Sequence, residues 1–199
     1  EVSIFVEPIT TPALWIYGGG HVSKAMCDVA AMAGFRVNIA DDRAAYASRT
    51  RFPTAAETHG GPFGDTVASM PITSHTYIVV VTKGHQEDGA VLEALAERWQ
   101  AGDRPRFLGM IGSKVKMVTL FRKLREAGVP EDFLEAVRTP VGMCIGARSH
   151  EEIGVSIVAE LISVRRLGKD DGASWKARKR SGAAPQKVVE LPQDGPQEA

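Results

Sequence analysis

An α/β fold with a doubly wound, mostly parallel sheet is predicted by three features of this 199-residue sequence. Apolar runs of strand length alternate with stripes at helical spacing, joined by short connections. A turn of three glycines, Gly18-Gly19-Gly20, separates the first run from its helix. The unbroken, β-branched run Tyr77 to Val81 reads as a central strand buried on both faces, as parallel sheets require.

Each element can be placed in order. Val2 to Val6 alternates like a strand, and residues 1–12 are expected to form this strand and a linker. The chain opens on Glu1 rather than Met, so a preceding segment is expected. Such an exposed strand edge has to be paired or covered, which predicts strand exchange or a homodimer. Ala13 to Tyr17 is the next strand, and apolar residues at Val22, Met26, Val29 and Ala33 mark a helix that Gly34 ends. Phe35 to Ala40 is a strand closed by Asp41-Asp42-Arg43, which completes a βαβ unit. Pro53, Gly60, Gly61, Pro62, Gly64 and Pro71 interrupt the following stretch, where only a short strand near Thr54 to Thr58 is predicted. After Tyr77 to Val81, a helix is marked by Val91, Leu92, Leu95 and Trp99, and Arg106 to Ile111 is a further strand. Ser113 caps a helix to Ala127, Gly128 ends it, and Pro130 starts a short helix to about Val137. Ser149 with Glu152 forms a capping box for a last helix with an apolar face of Ile153, Ile157 and Leu161. Residues 13–167 thus read as one Rossmann-like, dinucleotide- or cofactor-binding domain. Residues 168–199, rich in Gly, Pro, Gln and charge, read as a disordered tail.

Composition narrows the function. Lys+Arg and Asp+Glu balance at 24 each, which removes net charge as a reason to bind nucleic acid or a membrane surface. The basic run Lys176 to Arg180 beside Trp175 reads as a solvated part of the tail. No apolar run suggests a membrane span or an export signal. Cys27 and Cys144 match neither a disulfide framework nor a metal-ligand repeat, and fit a reducing cytoplasm.

The residues that carry chemistry cluster at strand ends. In Gly18-Gly19-Gly20-His21-Val22-Ser23 a tight turn opens a helix whose amides and dipole can hold a phosphate. Ser23 stands where the usual fingerprint has its third glycine. Asp41, 23 positions after Gly18, lies where a carboxylate reaches a ribose hydroxyl, with Asp42 beside it. Arg43 leaves the choice between a plain ribose and a 2′-phosphate open. His21, in the first helical turn, is expected to be buried and to face the site. Thr82-Lys83-Gly84-His85, with Asp88 a turn later, occupies the end of the central strand. Gly109 and Gly112 lead into Ser113-Lys114, with Lys116 nearby, a second helix N-terminus suited to an anion. Cys144 lies close to Arg148, which is expected to lower its pKa, although an inert buried thiol is the commoner case. No nucleophile with an adjacent base and no metal-ligand cluster stands out, so catalytic and metal residues are not assigned.

These blocks together resemble the C-terminal domain of the xanthine dehydrogenase accessory factor family, XdhC/CoxI. The carriers are Phe5-Val6-Glu7-Pro8, Gly18 to Val22, Asp41-Asp42-Arg43, Arg51-Phe52-Pro53, Thr82 to His85 with Asp88, Leu108 to Lys114, Gly128-Val129-Pro130 and Pro140-Val141-Gly142. Ile145-Gly146-Ala147, Glu151-Glu152-Ile153 and Ser156 to Glu160 continue the series. Two positions depart from the family pattern, Cys144 where Asp is usual and Ser23 where Gly is usual. The N-terminal segment with Cys-Gly-Gly that family members carry is not in this sequence. The resemblance implies a cytoplasmic accessory protein that binds molybdenum cofactor, as molybdopterin or its dinucleotide. It also implies support for sulfuration by a cysteine desulfurase and delivery to a molybdenum hydroxylase apoenzyme, such as xanthine or carbon monoxide dehydrogenase. Two alternatives stay open on the residues alone, an NAD(P)-dependent oxidoreductase and a nucleotide-sensing regulatory domain.

Overall fold

The structure, a computed structural model, describes residues 10–112 and 114–168. The expected Val2 to Val6 strand, the Ser113 cap, the Lys114 side chain, the basic run and the tail from 169 lie outside the described residues.

Five strands form one parallel sheet: β1 (Ala13–Tyr17), β2 (Arg36–Asp41), β3 (Glu57–Gly60), β4 (Thr76–Val80) and β5 (Phe107–Met110). Their order is β3-β2-β1-β4-β5, with β1 pairing Tyr17 to Ala40 on one side and to Val80 on the other. The helices are α1 (His21–Met32), α2 (Phe63–Ser69), α3 (His85–Gln100), α4 (Lys114–Glu126), α5 (Glu131–Ala136) and α6 (His150–Leu167), with a short 3₁₀ turn at Ala44–Tyr46.

Strand alternation divides the core in two, because successive side chains point to opposite faces. Leu14, Ile16, Val37, Ile39 and Val79 bury against Met26 and Ala30 of α1 and Ile157 and Leu161 of α6. Trp15, Tyr17, Ile78 and Val80 bury on the other face, against Val67 of α2, Leu92 of α3, Leu124 of α4 and Phe133 of α5. The chain reverses its direction of winding between β1 and β4, so α1 and α3 leave neighbouring strand ends toward opposite faces.

Two readings of the interrupted stretch need correction. β3 begins at Glu57, three residues beyond the expected start at Thr54. The helix α2 was not expected at all, because Pro62 and Gly64 obscure a short pattern. Phe63, Val67 and Met70 nevertheless bury at helical spacing, which was the signal available.

α6 returns from the end of the domain to lie alongside α1. The ring centroids of His21 and His150 are 5.3 Å apart, and Arg165 donates to the carbonyl of Ala33 at 2.9 Å at the far end. The two helices are therefore parallel, with both N-termini at the C-terminal edge of the sheet. Gly154 permits this approach, since a Cβ there would stand 2.9 Å from the backbone nitrogen of Met26. On the β5 edge, Arg138 pairs in parallel with Gly109 and covers part of the strand. Among the described residues, no helix is long and apolar enough to cross a membrane.

Candidate functional site

Three loops meet at the C-terminal edge of β2, β1 and β4, and direct contacts join them. Gly18, at φ +110°, backs onto the end of β4, where a Cβ would overlap the Val81 carbonyl. Its N–H donates to the Ala40 carbonyl at 2.7 Å. Gly19 is held from both sides: its N–H donates to Asp41 Oδ2 at 2.7 Å, and its carbonyl accepts from Arg51 Nε at 2.7 Å. A Cβ on Gly19 would overlap the Tyr46 carbonyl. Gly20 differs, because a Cβ there would meet nothing within 4 Å among the described residues. It is the N-cap of α1 and, as a glycine, supplies no side-chain cap of its own. Among the described residues no hydrogen bond is seen to the first-turn N–H groups of α1, where the positive end of the helix dipole lies.

Asp41 is 1% exposed, and its carboxylate is fully engaged. Besides Gly19, Oδ1 accepts from the Arg43 backbone N–H and from Arg43 Nε, both at 2.9 Å, and Oδ2 accepts from Arg43 Nη2 at 3.1 Å. Burial pushes its pKa up, but the Arg43 guanidinium and the two backbone N–H groups outweigh burial and hold it below the usual carboxylate range. The Arg43 guanidinium lies 3.6 Å over the Tyr46 ring, with that of Arg51 also near the ring at 5.1 Å. Asp42 is exposed and accepts from Lys83 Nζ at 3.4 Å, which ties the loop after β4 to the end of β2.

After β4, Thr82 donates to Asp88, and Gly84 caps α3 with His85 exposed at its first position. Burial raises the pKa of Asp88, with the Thr82 hydroxyl acting in the opposite direction. Gly112 lies one strand farther out, at the end of β5, where a Cβ would meet, among the described residues, only Met110 Cε at 3.9 Å. Val22 is half-buried against the α1–α6 core, and Ser23 is fully buried with no partner for its hydroxyl among the described residues.

His21 is exposed, which corrects the expectation that it is buried. It stands beside His150 because α1 and α6 start at the same level. Cys27 is buried, and burial raises its pKa above the ordinary thiol range. Cys144 is half-buried in the loop leading to α6, and neither cysteine forms a disulfide. That loop is anchored at Glu160, which is 4% exposed, accepts the Gly142 N–H at 2.6 Å and pairs with Arg138 at 3.3 Å. The exposed Arg148 gives its backbone N–H to Glu152 at 2.6 Å.

Sequence reasoning did not assign Tyr46 or His150 to this edge, and used Arg51 only as part of the Arg-Phe-Pro block. Tyr46 follows the acidic strand end by five positions, and His150 directly follows a cap residue; neither spacing alone marks a site.

Sheet order and the glycine turn at the reversal point define the class: a doubly wound Rossmann domain whose glycine turn opens a helix at the C-terminal edge of the sheet. Within that class, the XdhC Rossmann domain matches residues 14–161, and the chain belongs to this family. The uncharacterized protein YqeB of Escherichia coli K12 is 32% identical over 155 residues, which are 77% of this chain and 27% of YqeB. A probable xanthine dehydrogenase subunit of Bacillus subtilis 168 is 29% identical, over 82% of this chain and 46% of its own length. The molybdenum cofactor insertion chaperone PaoD of Escherichia coli K12 is 27% identical, over 79% of this chain and 42% of PaoD. A crystal structure described as a xanthine dehydrogenase from Bacillus halodurans superposes with a TM-score of 0.68 at 28% identity, covering 80% of this chain and 44% of that one. The chain thus spans less than half the length of these relatives.

Proposed function

We propose that this chain is the cofactor-holding domain of an accessory factor for molybdenum hydroxylases. The observation that carries the reading is the glycine N-cap of α1, Gly20, whose Cβ position meets no described atom within 4 Å, in a member of the XdhC family. Its ligand is molybdenum cofactor, as molybdopterin or its dinucleotide, held through the phosphate or pyrophosphate. The residues present fit such a group: the space at Gly20 admits a phosphate, and the first-turn amides of α1 donate to it. When bound, the cofactor supplies molybdenum chemistry to the recipient enzyme, while the residues here hold and release its phosphate.

The names of PaoD and of the Bacillus subtilis relative support this role. The finer expectations belong to the same proposal: work in the cytoplasm, homodimer formation, support of sulfuration by a cysteine desulfurase, and handover to a hydroxylase apoenzyme. Lys83 and His85 at the end of β4, Gly112 at the end of β5 together with Ser113 and Lys114 that follow it in the sequence, and Cys144 before α6 are the other proposed contacts. His150 brings the end of the Cys144 loop beside the turn.

The test is activation of an apo molybdenum hydroxylase with cofactor, in the absence of this protein, in its presence, and with its Gly20→Leu variant. Higher activity with the wild-type chain alone is expected. Equal activity in all three overturns the reading. Substrate-dependent oxidation or reduction of NAD(P) by the purified chain would favour an oxidoreductase in its place.

A further inference from the structure

Asp41 ends β2, the position from which the acidic residue of many Rossmann domains hydrogen-bonds a ribose hydroxyl. A carboxylate offers about four acceptor positions. Here four hydrogen bonds fill them, one from Gly19 and three from Arg43, on a side chain that is 1% exposed. The arrangement is braced from outside, with Arg43 stacked on Tyr46 and Arg51 fixing the opposite side of Gly19. Gly18 and Gly19 both spend their N–H groups on the end of β2, on Ala40 and Asp41. The amides left for a ligand therefore begin at Gly20, where the space is open.

We propose that Asp41 is a positioning residue that fastens the glycine turn, withheld from ligand by Arg43, so that the site recognises a phosphate and not the ribose carrying it. This deepens the proposed function and rests on its placement of a phosphate at α1. The ligand class is a phosphate ester whose alcohol need not be a ribose, a class that includes molybdopterin. A ligand hydroxyl has to displace Arg43 to reach Asp41, exchanging a charge-assisted bond for a neutral donor, and gains nothing net.

The experiment is calorimetric titration of the full chain with ADP, 2′-deoxy-ADP and inorganic pyrophosphate. ADP and 2′-deoxy-ADP are expected to bind equally, within about twofold, because no protein group reads the 2′-hydroxyl. In Arg43→Ala the carboxylate regains acceptor positions, and ADP is expected to bind about tenfold more tightly than its deoxy analogue. A wild-type preference of about tenfold for ADP overturns the inference while leaving the phosphate site standing. Equal binding of the two nucleotides by Arg43→Ala also overturns it, since Arg43 would then not be what withholds Asp41. Failure of all three probes to bind removes the phosphate site itself, and with it both proposals. A second measurement needs no variant: the Asp41 carboxyl carbon resonance of the wild-type chain, followed by NMR, is expected to shift equally with ADP and with pyrophosphate. A shift specific to ADP overturns the inference.

Discussion

Gly19 and Gly20 are chain neighbours that meet opposite surroundings. A side chain on Gly19 collides with the Tyr46 carbonyl, whereas one on Gly20, whose φ of −73° suits any residue, enters open space. Gly19→Ala is therefore expected to destabilise the fold by about 2–4 kcal/mol, through a forced shift of the turn or loss of the Asp41 bond. Gly20→Ala is expected to change stability by less than about 1 kcal/mol. Denaturant unfolding of the two variants checks the contrast, and equal losses would show that the turn is not built as described. The glycines were legible in the sequence because a tight turn between strand and helix demands them. That Gly19 is closed off by protein was not, since that depends on Tyr46, far along the chain.

α6 shows how an element's ends and its faces carry different information. The capping box at Ser149 and Glu152 is present, with Ser149 Oγ accepting the Glu152 N–H and the Glu152 carboxylate accepting the Ser149 N–H. It was legible because a cap is a contact between residues three apart. Ser149→Ala is expected to cost about 1 kcal/mol. Gly154→Val should cost more, about 1–3 kcal/mol, because its side chain drives α6 away from α1 at Met26. It should also weaken pyrophosphate binding, as the α1 N-terminus moves with the helix, while Ser149→Ala leaves that binding unchanged. Thermal unfolding together with pyrophosphate titration separates the two effects. The expected apolar stripe of Ile153, Ile157 and Leu161 understates the burial, for Ser156, Val158 and Glu160 are buried as well.

At the scale of the molecule, one sheet serves two cores. Leu161 belongs to the α1–α6 face and Leu92 to the opposite face, and alternate residues of the same strands line both. Leu92→Ala and Leu161→Ala are each expected to cost about 2–5 kcal/mol. Both should lower a single common transition, because neither face can lose its strands without the other. Circular dichroism and tryptophan fluorescence, the latter followed in a Trp175→Phe background so that it reports Trp15 and Trp99 on the Leu92 face, check this. Separate transitions by the two probes would mean that the faces unfold independently.

The sequence by itself determined the succession of the five strands and of the helices other than α2, the parallel sheet and the glycine turn, since these rest on periodicity and backbone conformation within a few residues. It did not reveal α2 and placed β3 early, where Pro53, Pro62 and Gly64 break the periodic signal in short elements. Tertiary structure decided what Asp41 holds. A carboxylate at the end of a strand has the same local signature whether it meets a ligand or a neighbouring turn. Only the pairing of β2 with β1, together with the return of Arg43, Tyr46 and Arg51 toward Gly19, determines which partner it meets. The same holds for His150, which reaches His21 because α6 packs in parallel on α1, a contact between residues far apart in the chain that no local pattern encodes.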